Sequence, residues 1–181
     1  MMMEILTARE NRWLYTNTLV ETYKLPVIII TLNIPGEHKY NEDYLYCHNA
    51  ITKDFVDWLY SRKLSILYFE ARVDKDGPEV FIIVNSSIND LKKIAIDFEE
   101  NHFLGRVADI DVKGKDKKMV SRRDLGLDER RCLICDNPAR KCILSNTHTL
   151  KDLLIVIDEL VSKYKLMEEN PNGADNFEKN S

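Results

Sequence analysis

Apolar positions along the chain change their period several times, and each change marks an element. A loosely periodic stretch over 4–22, with Ile5, Leu6, Trp13, Leu14 and Val20, predicts a first helix. Pro26 opens a β-branched run over 27–33, a buried strand by composition, which stops at the turn signal Ile34-Pro35-Gly36. Tyr44, Cys47, Ile51, Phe55, Trp58 and Leu59 then recur at helical spacing and predict a second helix to about Arg62. Two strands, 64–73 and 79–85, flank Asp74-Lys75-Asp76-Gly77-Pro78, which reads as a hairpin turn.

Ser87 with Asp90 three residues on forms a capping box, and the helix it opens shows Leu91, Ile94, Ala95 and Phe98 on one face. A strand over 106–112, a polar loop over 113–118, a short extended piece near Met119 and an irregular segment over 121–146 follow. Thr149 with Asp152 caps a last helix with Leu153, Leu154, Ile157, Leu160 and Val161 inward. The core order is strand, helix, strand, strand, helix, strand. That order predicts an α+β fold, a ferredoxin-like βαββαβ sheet with helices on one face plus N- and C-terminal helices. One domain is expected over 1–168, the Cys/His loop 132–148 included, with a disordered polar tail over 169–181.

At 181 residues, with 44% apolar and 31% charged, the chain has the composition of an ordinary globular domain. No apolar run approaches membrane-spanning length, and the first residues lack the pattern of a signal peptide, so a cytoplasmic location with no membrane partner is expected. Net charge is −4, but residues 105–142 carry eleven Lys and Arg against seven Asp and Glu. A basic segment in an acidic protein points to a local anionic ligand and away from general nucleic-acid affinity; a solvated basic loop explains the charge equally well.

Three clusters carry candidate chemistry. On the strand over 106–112, side chains alternate, so Asp109 and Asp111 share a face while Ile110 and Val112 take the other. Carboxylates roughly 6.6 Å apart along a strand can hold magnesium between them, as in phosphoryl and nucleotidyl transfer; the bland alternative is a solvent-facing strand. Cys132, Cys135, Cys142 and His148 form a complete tetrahedral zinc set in principle, although the second half lacks a standard finger spacing. Reduced thiols without metal are the alternative, and Cys47 reads as a core residue. Finally, Arg122-Arg123 and Arg130-Arg131 flank a Leu-Gly-Leu hinge and present forked donors suited to phosphate, or else to surface ion pairs. His38 and His48 read as structural or exposed, and His102 lies just before the aspartate strand.

Leu104-Gly105-Arg106, Asp109-Ile110-Asp111-Val112, Ser121-Arg122-Arg123-Asp124 and Arg130-Arg131-Cys132-Leu133-Ile134-Cys135, then Cys142 and His148, stand in one ordered run. This run resembles the citrate lyase holo-acyl-carrier-protein synthase family, also called apo-citrate lyase phosphoribosyl-dephospho-CoA transferases. Asn33-Ile34-Pro35-Gly36 with Lys39, and Ala8-Arg9-Glu10-Asn11-Arg12, are similar to the family's upstream segments. The chain departs from the pattern at Glu37 and at Asp128-Glu129, where prolines are usual, and at Thr16, where a glutamine is.

The resemblance implies transfer from triphosphoribosyl-dephospho-CoA to a serine of the apo acyl carrier subunit of citrate lyase, with diphosphate leaving. On that basis Asp109 and Asp111 would hold Mg2+, and one of them would assist deprotonation of the serine. Arg106, Arg122, Arg123, Arg130, Arg131 and Lys39 would bind phosphates. Two other readings compete: a non-catalytic, Zn2+-stabilised module that grips an acidic partner, and the same transfer onto a different carrier protein.

Overall fold

The computed structural model describes residues 2–170. The chain runs α1 (Met2–Tyr23), β1 (Val27–Leu32), α2 (Glu42–Ser61), β2 (Ile66–Asp74), β3 (Gly77–Val84), α3 (Ile88–Asn101), β4 (Ala108–Lys113), a 3-10 turn (Arg123–Leu125), α4 (Ala139–Leu144) and α5 (Leu150–Glu169). Of the tail expected over 169–181, Glu169 ends α5 and Asn170 caps it; the rest lies outside the described residues. The segment expected to be irregular over 121–146 holds the 3-10 turn and α4, elements too short to give a sequence period.

Local chemistry sets the ends. The Ser87 and Thr149 side chains accept the backbone N–H groups of Asp90 and Asp152, and Asn41 does the same for Tyr44 at the start of α2. The four strands make one antiparallel sheet in the order β2-β3-β1-β4, an α+β architecture with five helices among the described residues. The two central strands are apolar on both sides because both sides are covered. Ile28, Ile30, Val80, Ile82, Ile110 and Val112 meet α2, α3 and α5 through Phe55, Leu59, Leu91, Phe98, Ile157 and Val161. Val27, Ile29, Phe81 and Ile83 face the other way, onto Leu19 and Val20 of α1. Each large side chain so buried contributes about 1.5–3 kcal/mol.

α1 is therefore the cover of the second face, and it is held by polar contacts at its edges. Arg9 and Arg12 bond Asp76 at 2.9 and 2.7 Å, and Arg12 also reaches Glu79 at 3.0 Å. The Asp74–Asp76 stretch is thus the expected hairpin turn, with Asp76 folded back onto α1. His102 is turned to the helical side: it stacks on Phe98 at 4.5 Å, and its Nε2 lies 2.9 Å from Asp54, which also accepts from the Tyr164 hydroxyl at 2.7 Å. His48 is buried against the Ile30 carbonyl at 3.1 Å, and Cys47 is buried in the core.

Gly105 makes the close turn between α3 and β4. A Cβ there would lie 2.2 Å from the Glu99 carbonyl oxygen, inside the backbone of α3. Gly105→Ala is expected to destabilise the fold by roughly 1–3 kcal/mol through forced backbone shifts. A urea midpoint within error of the parent would contradict this.

Candidate active site

β4 is an edge strand, yet its outward backbone groups are met by side chains from neighbouring elements. Arg130 donates to the Ala108 carbonyl, Glu99 Oε1 accepts from the Ile110 N–H at 2.9 Å, and Lys92 Nζ donates to the Ile110 carbonyl at 2.9 Å. The Val120 N–H serves the Val112 carbonyl at 3.1 Å. An edge closed in this way cannot recruit another strand, and it holds the intervening residues in fixed register.

Those intervening residues are Asp109, Asp111 and Lys113. Opposite Thr31, Ile29 and Val27 of β1, they lie on the α1 side of the sheet, and both aspartates are half-exposed. Burial, then the neighbouring Asp111 carboxylate, push the Asp109 carboxyl up to about 6, against the opposing pull of Arg130. Lys92 Nζ approaches Asp111 at 3.4 Å and Arg130 approaches Asp109 at 3.8 Å. Lys113 is fully buried, donating to the Trp13 carbonyl at 3.1 Å and to the Thr16 hydroxyl at 2.9 Å, and burial pushes its ammonium down to about 8. Thr16, the departure from the family pattern, therefore serves to tie α1 to β4.

Glu99 organises the arginines. Its buried carboxylate takes Arg130 at 3.1 Å and Arg122 at 2.9 Å, with the other arm of Arg122 on Glu100 at 2.5 Å. Arg106 is exposed and, among the described residues, has no ion-pair partner. It lines two adjoining clefts together with Arg130 and Arg131. One, of about 480 Å³, also takes in Arg122, Glu99 and Glu100; the other, of about 310 Å³, has a wall of Pro35, Leu133, Leu150 and Leu153.

Arg106, Arg130 and Arg131 share these clefts, with Arg122 in the larger; Asp109 and Asp111 line neither and are linked to them through Arg130, which approaches Asp109 at 3.8 Å. Two other expected residues stand apart. Arg123 is exposed and pairs with Glu129 at 3.5 Å. Lys39 donates to the Ile34 carbonyl and lines a separate hollow with Val73, Asp74 and Lys75. Sequence reasoning missed Lys92, Glu99 and Lys113. The alternation that paired the aspartates continues to Lys113, and Lys92 and Glu99 sit seven residues apart beside the apolar stripe of α3, which are the signals that could have found them.

The sulfur and nitrogen donors of Cys132, Cys135, Cys142 and His148 all lie within 4.8 Å of one another, a set able to hold a metal ion. The backbone N–H of Asn137 and then His148 hold the Cys135 thiol down to about 6.

No helix among the described residues is long and apolar enough to cross a membrane. The profile of apo-citrate lyase phosphoribosyl-dephospho-CoA transferases matches residues 1–164. A probable apo-citrate lyase phosphoribosyl-dephospho-CoA transferase of Vibrio cholerae is 30% identical over 89% of this chain and 88% of its own length. The apo-citrate lyase phosphoribosyl-dephospho-CoA transferase of Citrobacter koseri is 31% identical over 87% of this chain and 86% of its own. Protein CitXG of Leuconostoc mesenteroides is 30% identical over 91% of this chain, which spans 35% of that longer protein.

Proposed function

Since this chain belongs to the apo-citrate lyase phosphoribosyl-dephospho-CoA transferase family, we propose that it moves that group from triphosphoribosyl-dephospho-CoA to a serine of the apo acyl carrier subunit of citrate lyase. The observation that carries the reading is a pair of half-exposed aspartates on β4, Asp109 beside Arg130 and Asp111 beside Lys92, with Arg106 and Arg130 lining two clefts. We also assign the sheet, on its strand order and its two crossover helices, to the ferredoxin-like arrangement.

In the reaction proposed, the serine oxygen bonds to the α-phosphorus, the α–β phosphate bond breaks, and diphosphate leaves with the bonding electrons. The serine proton passes to Asp109 or Asp111, and from there to solvent. Arg106 and Arg130, with Arg131 behind them, meet the phosphate oxygens as charge shifts toward the leaving group. Arg122 fixes this arrangement by sharing Glu99 with Arg130. The apolar wall of the smaller cleft, beside the same guanidinium groups, suits the adenosine end of the donor.

Mg2+ fits the aspartate pair. Two hard oxygen donors lie on one strand face, and the Asp109 carboxyl is raised first by burial and then by the Asp111 carboxylate, both of which a cation would offset. When bound, Mg2+ would neutralise the phosphates and favour the ionised serine oxygen. Asp109 and Asp111 would hold it, and Lys92, 3.4 Å from Asp111, steadies that carboxylate.

Diphosphate release tests the reading. It is expected to appear when the protein, donor, Mg2+ and apo carrier are combined, and to vanish with a carrier whose acceptor serine is alanine. Release of equal size with the alanine carrier would reject carrier transfer.

A further inference from the structure

We propose that Cys132, Cys135, Cys142 and His148 hold a structural zinc ion that fixes the segment bearing Arg130 and Arg131. The donors already stand at ligand spacing. Cys135 Sγ is 3.5 Å from Cys142 Sγ and 3.3 Å from His148 Nε2, and the whole set lies within 4.8 Å. Zinc–sulfur bonds near 2.3 Å and zinc–nitrogen bonds near 2.0 Å in a tetrahedron separate ligand atoms by about 3.4–3.8 Å. A disulfide needs sulfurs at about 2.05 Å and would leave one thiol and the imidazole without use. Three thiolates and an imidazole are soft and borderline donors, which select zinc over magnesium.

The surrounding segment supplies the second argument, because it lacks a core of its own. Over residues 121–150 only Cys132 and Cys142 are buried. Ile143 and Leu144, the apolar residues of α4 beside Cys142, remain 73% and 76% exposed. A stretch of that length, anchored on the main core only by the partly buried Leu133, needs another staple, and a metal is the one its side chains can provide.

The backbone is arranged to close around such an ion. The Cys132 N–H donates to the Asn137 carbonyl at 2.7 Å, and Arg131 bridges to Pro138, which folds the Cys132–Cys135 turn back on itself. α4 then presents Cys142, and the Thr147 N–H bonds the Cys142 carbonyl at 3.0 Å, returning the chain so that His148 faces the thiols. The Asn137 side-chain amide lies 3.5 Å from Cys135 Sγ, an outer contact of the kind that orients a metal thiolate.

Arg130 is built into this knuckle. Its carbonyl accepts the Ala139 N–H at 2.8 Å, while its guanidinium spans Glu99 and Asp109. The ion thereby couples the knuckle to the phosphate-facing arginines. That coupling rests on the transferase reading; the ligand set does not.

Metal analysis of the intact protein is the test. Purified from zinc-supplemented cells and dialysed against a mild chelator, it is expected to retain about one zinc per chain, released stoichiometrically when a mercurial blocks the thiols. Zinc removal is expected to open Arg130 and Arg131 to trypsin while the far-ultraviolet dichroism of the sheet persists. Zinc content below roughly a tenth of an equivalent, with freely reacting thiols in the native protein, would overturn the proposal. So would a full zinc load in a Cys135→Ser, Cys142→Ser double variant. Transfer measured on the same samples separates the two readings: active, zinc-free protein rejects the metal alone, whereas zinc-loaded, inactive protein rejects the transferase alone.

Discussion

Asp109→Asn is expected to cut transfer by roughly 10²–10³-fold, the usual cost of losing one electrostatic partner of the reacting group, while slightly raising thermal stability at neutral pH. The first half follows from its place on β4, where the carboxylate faces Arg130 and shares a strand face with Asp111. The second half follows from linkage. Burial and Asp111 raise the Asp109 carboxyl from an unfolded value near 3.8 to about 6, so the folded chain holds this proton more tightly than the unfolded one. The group's stabilising contribution is complete below the unfolded value and is lost as pH rises through the folded value. Asparagine removes that loss, so its stability advantage grows between pH 4 and 6 and then levels off. The effect is small because the side chain is half-exposed and solvent-screened. For the same reason, wild-type transfer at low Mg2+ rises with pH around 6. Thermal melts and initial rates over this range check both halves. Near-parent activity for Asp109→Asn would remove the aspartate from the chemistry.

Glu99→Ala is expected to destabilise the protein by about 3–5 kcal/mol, the cost of breaking a buried ion pair by removing one partner. Glu99 is 6% exposed and serves three groups at once: the guanidinium of Arg122, that of Arg130, and the Ile110 N–H of the edge strand. Removing it leaves Arg122 with only the exposed Glu100, Arg130 with only the Ala108 carbonyl and the longer approach to Asp109, and the Ile110 N–H unmet, so transfer falls with stability. Glu99→Gln keeps an acceptor for the Ile110 N–H while losing the charge, and its destabilisation should fall between parent and alanine. Urea unfolding of the three proteins gives the ranking. A loss below about 1 kcal/mol for alanine, the range of an exposed pair, would show that Glu99 is not the organising residue.

The pairing of Asp109 with Asp111 was legible in the sequence because a strand has a strict period of two. Which side of the sheet they occupy was not, since that depends on where α1 packs, and its apolar positions repeat too loosely to say. Lys92 and Glu99 were hidden for a related reason. An amphipathic pattern reveals the stripe of α3 that is buried, but not that polar neighbours of the stripe reach round an edge strand. The arginine pairs suited phosphate by residue type alone. Their different partners arise from local geometry: although both line the clefts, Arg130 reaches Glu99 while Arg131 stays exposed near Asp136.

Lys39 shows how a turn can redirect a plausible ligand. Gly36 takes a positive φ of 80°, and the chain folds back so that the Lys39 ammonium meets the Ile34 carbonyl. The Cys/His set was visible as residue types, whereas its convergence depends on α4, a helix of six residues whose period is too short to read. The sequence reading was sound wherever a period or a cap repeats along one element. It failed where two elements meet at an edge.

The most direct test of the central claim is the intact mass of the apo citrate lyase carrier after incubation with this protein, triphosphoribosyl-dephospho-CoA and Mg2+. The account predicts a gain equal to one phosphoribosyl-dephospho-CoA group, absent with chelator and absent with a folded Asp109→Asn, Asp111→Asn double variant. No gain with competent carrier and donor, or an undiminished gain with the double variant, would contradict it.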